Sequence, residues 1–189
     1  CVLSKLKKMK YLKIVILIIG ILFAAVILFF TYATLFPVSP LQSATYSSEN
    51  ATYEVEYSSP FKKDRLIFGS ESEGALVPFG KYWRTGANAA TTFSTSEDIT
   101  FGGESLQAGK YSLYTIPGKE KWTIALNSVN DTFFAIAEAD QDEDVLRISS
   151  KSIKISESVE QFSIDFSADS LNTYLNLKWD KTLVSIPLK

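Results

Sequence analysis

The chain has 189 residues, 46% of them hydrophobic, with 19 basic and 21 acidic side chains, one cysteine and no histidine. That length suits one ordinary domain with a hydrophobic core plus one further segment. The lack of histidine excludes Ser-His-Asp and Cys-His nucleophile systems, histidine-ligated zinc and imidazole acid–base catalysis, and a single cysteine leaves no intrachain disulfide.

The first 13 residues carry Lys5, Lys7, Lys8, Lys10 and Lys13 and no acidic residue. Ile14 to Phe30 follows without a charge or a strongly polar group, and apolar character continues to Phe36. At about 1.5 Å per residue, a helix over this stretch crosses a bilayer core of about 30 Å. The pattern predicts a basic cytoplasmic N-terminus over 1–13, a transmembrane signal-anchor helix over 14–36, and export of everything after Phe36. A cleaved signal peptide is the alternative, but its apolar stretch is about 7–15 residues and ends in a small-x-small site. Here Ala33 and Thr34 are flanked by Tyr32 and Leu35. Cys1 precedes the apolar run, where a lipoprotein cysteine would follow it, and Met9 is the expected biological start. Of the 19 basic side chains, those five lysines lie before the exported part, leaving 14 against 21 acidic and a net charge of −7. Such a surface repels phosphate backbones, so nucleic acid is not an expected partner.

Pro37 to Pro40, followed by Ser43, Thr45, Ser47 and Ser48, reads as a polar linker over 37–50. From residue 51 to 189 the period changes to two. Tyr53, Val55 and Tyr57 alternate with Glu54, Glu56 and Ser58; Phe162, Ile164 and Phe166 alternate with Ser163, Asp165 and Ser167; Leu175, Leu177 and Trp179 alternate with Asn176 and Lys178; and Val184, Ile186 and Leu188 close the chain. Alternation of this kind gives each strand one core face. Runs at Lys110 to Ile116, Lys121 to Asn127, Thr132 to Ala137 and Val145 to Ile155 are rich in β-branched and aromatic residues. Gly102-Gly103, Pro117-Gly118, Asn130-Asp131 and Asp180-Lys181 supply the turns. About ten short strands and no amphipathic helix predict an all-β fold, an antiparallel β-sandwich of jelly-roll-like type, preceded by one N-terminal transmembrane helix.

No Gly-rich phosphate loop is present, since Gly102-Gly103 lacks a following helix and a GK[ST] element. A carboxylate pair could hydrolyse a glycoside with its two groups about 5–10 Å apart. Glu54 and Glu56 are two apart on a strand, about 6.5–7 Å by strand rise, though alternating acids are also what a solvated strand face carries. Glu138, Asp140, Asp142, Glu143 and Asp144 contain a D-x-D-x-D spacing, but Val145 and Lys151 stand where an EF-hand loop needs Gly and Glu. The expected reading is a solvated acidic loop, with no metal site and no cofactor, and an irregular calcium site in the loop is the alternative. The most distinctive stretch is Leu76 to Phe93, which sets Lys81, Arg84 and Asn88 among Tyr82 and Trp83, between Gly80 and Gly86. Aromatic surface beside fork-shaped donors grips sugars, carboxylates or peptide ends. The same residues suit a folding role, with Arg84 on a carboxylate or on loop carbonyls, Asn88 holding a turn and Trp83 in the core.

These residues carry a resemblance. Ser59-Pro60, Lys63-Asp64-Arg65 with Ile67-Phe68-Gly69, Leu76 to Asn88, Ala90 to Thr92, Gly103 with Leu106, Ala108 to Pro117, Trp122, Asp144-Val-Leu-Arg147 and Trp179 to Pro187 form a long ordered series similar to the family known as domain of unknown function 2911. The resemblance runs from Tyr57 to Leu188 and implies a β-domain of the bacterial envelope, with no catalytic assignment. Two positions depart from the family pattern: Ala89 stands where an acidic residue usually follows the Gly-x-Asn element, and Asp64 stands where Gly is expected.

The candidate ligand-binding residues are therefore Lys81, Tyr82, Trp83, Arg84, Asn88 and Arg65. The favoured function is a non-catalytic binding or interaction module, held on the membrane by its N-terminal helix in the periplasm or cell envelope. Its partner would be a glycan, a peptide or an envelope protein. The alternatives are a histidine-free carboxylate hydrolase or lyase acting on envelope polysaccharide, and a structural spacer.

Overall fold

The computed structural model describes residues 2–36, 38–130 and 137–189. The chain divides into two compact units, Cys1–Val38 and Ser39–Lys189.

The first unit is the helix α1, Val2–Leu35. Its stretch Tyr11–Tyr32 has a mean hydropathy of 3.2 over 22 residues, and none of it is buried against protein. By length and composition this helix can cross a membrane, or serve as a signal sequence.

The second unit is an antiparallel β-sandwich. One sheet runs in the order β1 (Leu41–Ser47), β2 (Thr52–Ser58), β5 (Thr91–Thr95), β8 (Gly109–Ile116), β9 (Lys121–Asn127) and the start of β10 (Asp144–Ala168). The other consists of the rest of β10, then β11 (Thr173–Leu188), β6 (Ile99–Phe101) and β7 (Glu104–Leu106). Two further short strands, β3 (Phe68–Gly69) and β4 (Val77–Pro78), pair with each other in parallel. Strand β10 joins the sheets: its residues Asp144 to Lys151 pair with β9, and Ser152 to Ala168 pair with β11. The chain leaving β2 crosses to the second sheet as well, where Phe162 N–H donates to Pro60 O at 2.9 Å and Lys62 N–H donates to Glu160 O at 2.7 Å.

The alternating residues meet between the sheets. Val55, Phe93, Leu113, Ile124 and Leu126 come from one face, and Phe162, Ile164, Leu175, Leu177, Val184 and Ile186 from the other, all nearly inaccessible. The Gly102-Gly103 turn has φ of 62° and 101°, positive at both central residues as a tight two-residue hairpin requires. Pro117-Gly118 turns β8 into β9.

Two expectations differ from the structure. Leu41–Ser47 is strand β1 within the sheet, where a linker was expected over 37–50. Its polar composition hides an alternation in which Ala44 and Tyr46 pack on the core, and Tyr46 stacks on Tyr53 at 6.4 Å. Asp180-Lys181 does not end a strand: Asp180 has φ 49° inside β11, and the ladder with β10 shifts register there. The alternating runs on either side of these irregularities are thus two long bent strands in place of four short ones, because a bulge can turn a strand without a loop. The strand expected over Thr132 to Ala137 lies outside the described residues except for Ala137, and so does Asp131 of the expected Asn130-Asp131 turn.

Candidate functional site

The Leu76 to Phe93 stretch is placed by backbone before side chains. Gly80 N–H donates to Pro117 O at 2.8 Å, and Trp83 makes an antiparallel bridge with Thr115, its N–H and C=O bonded at 2.8 and 2.9 Å. Trp83 therefore lies along β8 where β5 would continue. A residue paired in this way sends its side chain to one face and its neighbours to the other.

Trp83 faces the core and is 8% exposed. Its ring lies 5.0 Å from Phe162, 5.8 Å from Trp179 and 5.9 Å from Trp122. The indole N–H, which would be costly to leave unpaired there, donates to Gly86 O at 3.1 Å. Trp83 is thus a core residue of the loop and presents no ring to solvent.

Tyr82 and Arg84 turn to the outer face of the sheet. Tyr82 is half-buried against Tyr114, ring centres 4.9 Å apart. Burial pushes the Tyr82 phenol above its ordinary pKa, with the backbone at Ala139 and the charge of Arg84 working in the opposite direction. Arg84 is half-buried and donates from Nη1 to Asn88 O at 3.0 Å. Asn88 has φ 57° and donates from Nδ2 to Ser39 O at 3.4 Å, so its amide ties the loop to the entering chain. Lys81 is exposed and pairs with the still more exposed Glu71 at 3.3 Å, a contact worth little in water. Arg65 donates from Nε to Lys62 O at 2.9 Å and from Nη2 to Phe61 O, capping its own loop. In that loop Asp64 has φ 57°, a conformation glycine adopts without steric cost. Of the six expected residues, Tyr82 and Arg84 share the outer face of β8, Trp83 is in the core, Asn88 and Arg65 are engaged with neighbouring backbone, and Lys81 is exposed beside Glu71.

The same face holds four residues missing from the expected set. The Tyr114 hydroxyl donates to Asp144 Oδ2 at 2.6 Å, and Arg147 Nε donates to the same oxygen. Asn127 Nδ2 donates to Asp144 Oδ1 at 2.8 Å and also to Asp140 O at 2.7 Å, while Arg147 Nη2 donates to the Tyr114 oxygen at 2.9 Å. The Asp144 carboxylate is only 6% exposed and Arg147 is 39% exposed. Burial first, then the hydrogen bond and charge of Asp144, push the Tyr114 phenol far above its ordinary range. Tyr114 and the pair Asp144 and Arg147 fall within segments that carry the family resemblance, and Asp144 also belongs to the acidic D-x-D-x-D run. Asn127 carried neither signal.

Three carboxylates of the acidic loop are spent on internal contacts. Asp140 accepts from Asp142 N–H at 3.1 Å, Glu143 accepts from Ser128 Oγ at 2.9 Å, and Asp144 is held as above. Among the described residues no three carboxylates gather around a common point. Glu54 is exposed on the outer face of β2, and its neighbour Glu56 pairs with Lys110 at 3.2 Å.

The model of the family DUF2911, described as a protein of unknown function, matches residues 39–188. No curated protein and no solved structure matches the chain. The match spans the whole β-sandwich, and the chain belongs to the DUF2911 family.

Proposed function

We propose that the chain is a membrane-anchored binding module, holding a non-catalytic β-sandwich in the periplasm or cell envelope for a glycan, peptide or envelope-protein partner. The observation that carries the reading is the grouping of two guanidinium groups, Arg84 and Arg147, about the Tyr82 and Tyr114 ring pair on one sheet face. Arg84 commits one N–H to Asn88 O, and Arg147 spends two of its N–H groups on Asp144 and Tyr114. The remaining guanidinium N–H groups have no partner among the described residues. Preorganised donors beside an aromatic edge suit a carboxylate-bearing sugar or a peptide end. Pinned by internal bonds, they lose little entropy on binding.

The anchor is supported by the Tyr11–Tyr32 stretch and the basic residues before it. An alkaline phosphatase fused after Lys189 is expected to be active, and the intact mass of the membrane-extracted chain is expected to retain the helix. A mature chain beginning after Phe36 would remove the anchor from this reading.

For the binding surface, the full chain in lipid nanodiscs is compared with Arg84→Ala on an array of envelope glycans and peptidoglycan fragments. Circular dichroism verifies that the variant is folded. Loss of a wild-type signal in the folded variant is expected, and equal signals would eliminate this surface.

A further inference from the structure

At the opposite end of the sandwich from Ser39, the β1–β2 turn and the β10–β11 turn enclose a concave pocket of about 570 Å³. One wall is aromatic. Tyr46 is half-buried, stacks on Tyr53 at 6.4 Å and lies tilted against Phe166 at 6.2 Å, so its ring is fixed from behind. The opposite wall is the 169–172 turn, held by Asp169. Its Oδ1 accepts from Leu171 and Asn172 N–H, both at 2.8 Å, and its Oδ2 accepts from the Tyr174 hydroxyl at 2.9 Å.

That chain of bonds determines how Asn172 is oriented. With the Tyr174 proton given to Asp169, the Tyr174 oxygen accepts from Asn172 Nδ2 at 3.2 Å. Asn172 Oδ1 is then an acceptor, and it is buried without a partner. Such an atom costs free energy until something donates to it. Elsewhere in the lining, the side chains of Glu49, Asn50 and Lys189 make no hydrogen bond or ion pair among the described residues.

These features select a ligand class. An anion has no proton for Asn172 Oδ1. A metal cation would need several free carboxylate oxygens, and those of Asp169 are already occupied. An apolar ligand would leave the lining amides and charges unpaired. A sugar satisfies all of them, since its hydroxyls both donate and accept and its C–H face lies flat on a tyrosine ring. We propose that the pocket between the β1–β2 and β10–β11 turns binds a neutral saccharide, its ring on Tyr46 and its hydroxyls on the side chains of Glu49, Asn50 and Lys189, with Asn172 turning to offer its buried Oδ1 to one of them. This site is distinct from the Arg84 surface and does not depend on it.

The test uses the full chain in nanodiscs, with cellotetraose, maltotetraose and chitotetraose as probes, read by saturation-transfer NMR and titration calorimetry. The wild type is expected to bind at least one of them, with affinity at least tenfold weaker in Tyr46→Ala. Tyr46 also packs on the core, so a second variant, Glu49→Ala with Asn50→Ala on the exposed turn, covers the case in which Tyr46→Ala fails to fold, and is expected to bind at least threefold more weakly. Lys119→Ala, in the turn between β8 and β9, is the control. Binding weakened in either folded pocket variant supports the site. Failure of the wild type to bind any of the three, or equal binding by the wild type and both variants, overturns it. The Arg84→Ala array comparison concerns the other end of the sandwich, so the two readings fail separately.

Discussion

Asp144 and Arg147 lie three apart on one strand yet share a face, the Arg147 Nε donating to Asp144 Oδ2. In a regular strand that spacing sends side chains to opposite faces. Here the ladder with β9 shifts register between Asp144 and Leu146, and Val145 is the extra residue of a bulge that restores both to the outer face. Tyr114 and Asn127 close the network around the same carboxylate.

Removing that carboxylate leaves three donors without their shared acceptor. Asp144→Ala is expected to destabilise the β-domain by about 2–3 kcal/mol, the partial exposure of Arg147 keeping the figure below that of a fully buried pair. For a domain of this size the loss corresponds to a fall in Tm of roughly 5–10 °C. Asp144→Asn keeps an acceptor and is expected to lose about half as much. Thermal melts of the full chain in nanodiscs check both, and a melt for Asp144→Ala equal to wild type would refute the network's structural role.

Four tyrosines, Tyr53, Tyr57, Tyr82 and Tyr114, have phenols raised by burial from an ordinary value of 10.0. Above pH 10 the unfolded chain gives up these protons while the folded chain retains them. Their contribution to stability is therefore complete below pH 10 and is lost as pH rises beyond it. Absorbance at 295 nm during alkaline titration is expected to show these four phenols ionising only together with the loss of near-ultraviolet circular dichroism. Ionisation of all four near pH 10 in an intact fold would contradict this.

Asp180 holds the bend in β11 through two properties that can be separated. Its φ is 49°, and its Oδ1 accepts from Lys62 Nζ at 2.6 Å and Ser158 Oγ at 2.7 Å. Burial works against its ionisation, but the bonds from Lys62 and Ser158 outweigh it and hold the carboxyl below its ordinary value of 3.8. Stability from this group is present above pH 3.8 and lost as pH falls through the lower folded value. Asp180→Gly keeps the backbone conformation and removes the carboxylate; Asp180→Ala removes both and is expected to be about 1 kcal/mol less stable than the glycine variant. Urea denaturation at pH 7 and pH 3 measures the two contributions.

Gly86 admits no side chain without movement. A Cβ there would sit 2.8 Å from Ser58 O and 3.2 Å from Thr91 Oγ1, and the Gly86 carbonyl receives the Trp83 indole N–H. Gly86→Ala is expected to cost about 2 kcal/mol and to shift tryptophan emission to the red as Trp83 loses its seat. Unchanged emission with unchanged stability would show that the loop accommodates the methyl group.

Period and composition were enough to identify the strands at Thr52–Ser58, Gly109–Ile116 and Lys121–Asn127, because alternation is a local property set by which face meets the core. The apolar run of α1 was legible for the same reason, since bilayer thickness translates directly into residue count. The joining of β10 and β11 into long bent strands was not, because Asp-Lys is turn chemistry locally and becomes a bulge only when a partner strand continues past it. β1 escaped notice because its two core contacts, Ala44 and Tyr46, are sparse among hydroxyl residues.

The candidate site divides along the same line. By itself the sequence determined an apolar N-terminal helix, an alternating β-domain, the exclusion of histidine chemistry and the residue types available for binding. Tertiary structure alone decided that Trp83 turns into the core while Tyr82 and Arg84 turn out, that a bulge brings Arg147 to Asp144, and that Asn172 is left with a buried acceptor at a pocket. Each of those depends on which backbone lies opposite, a long-range pairing that no spacing along a single chain encodes.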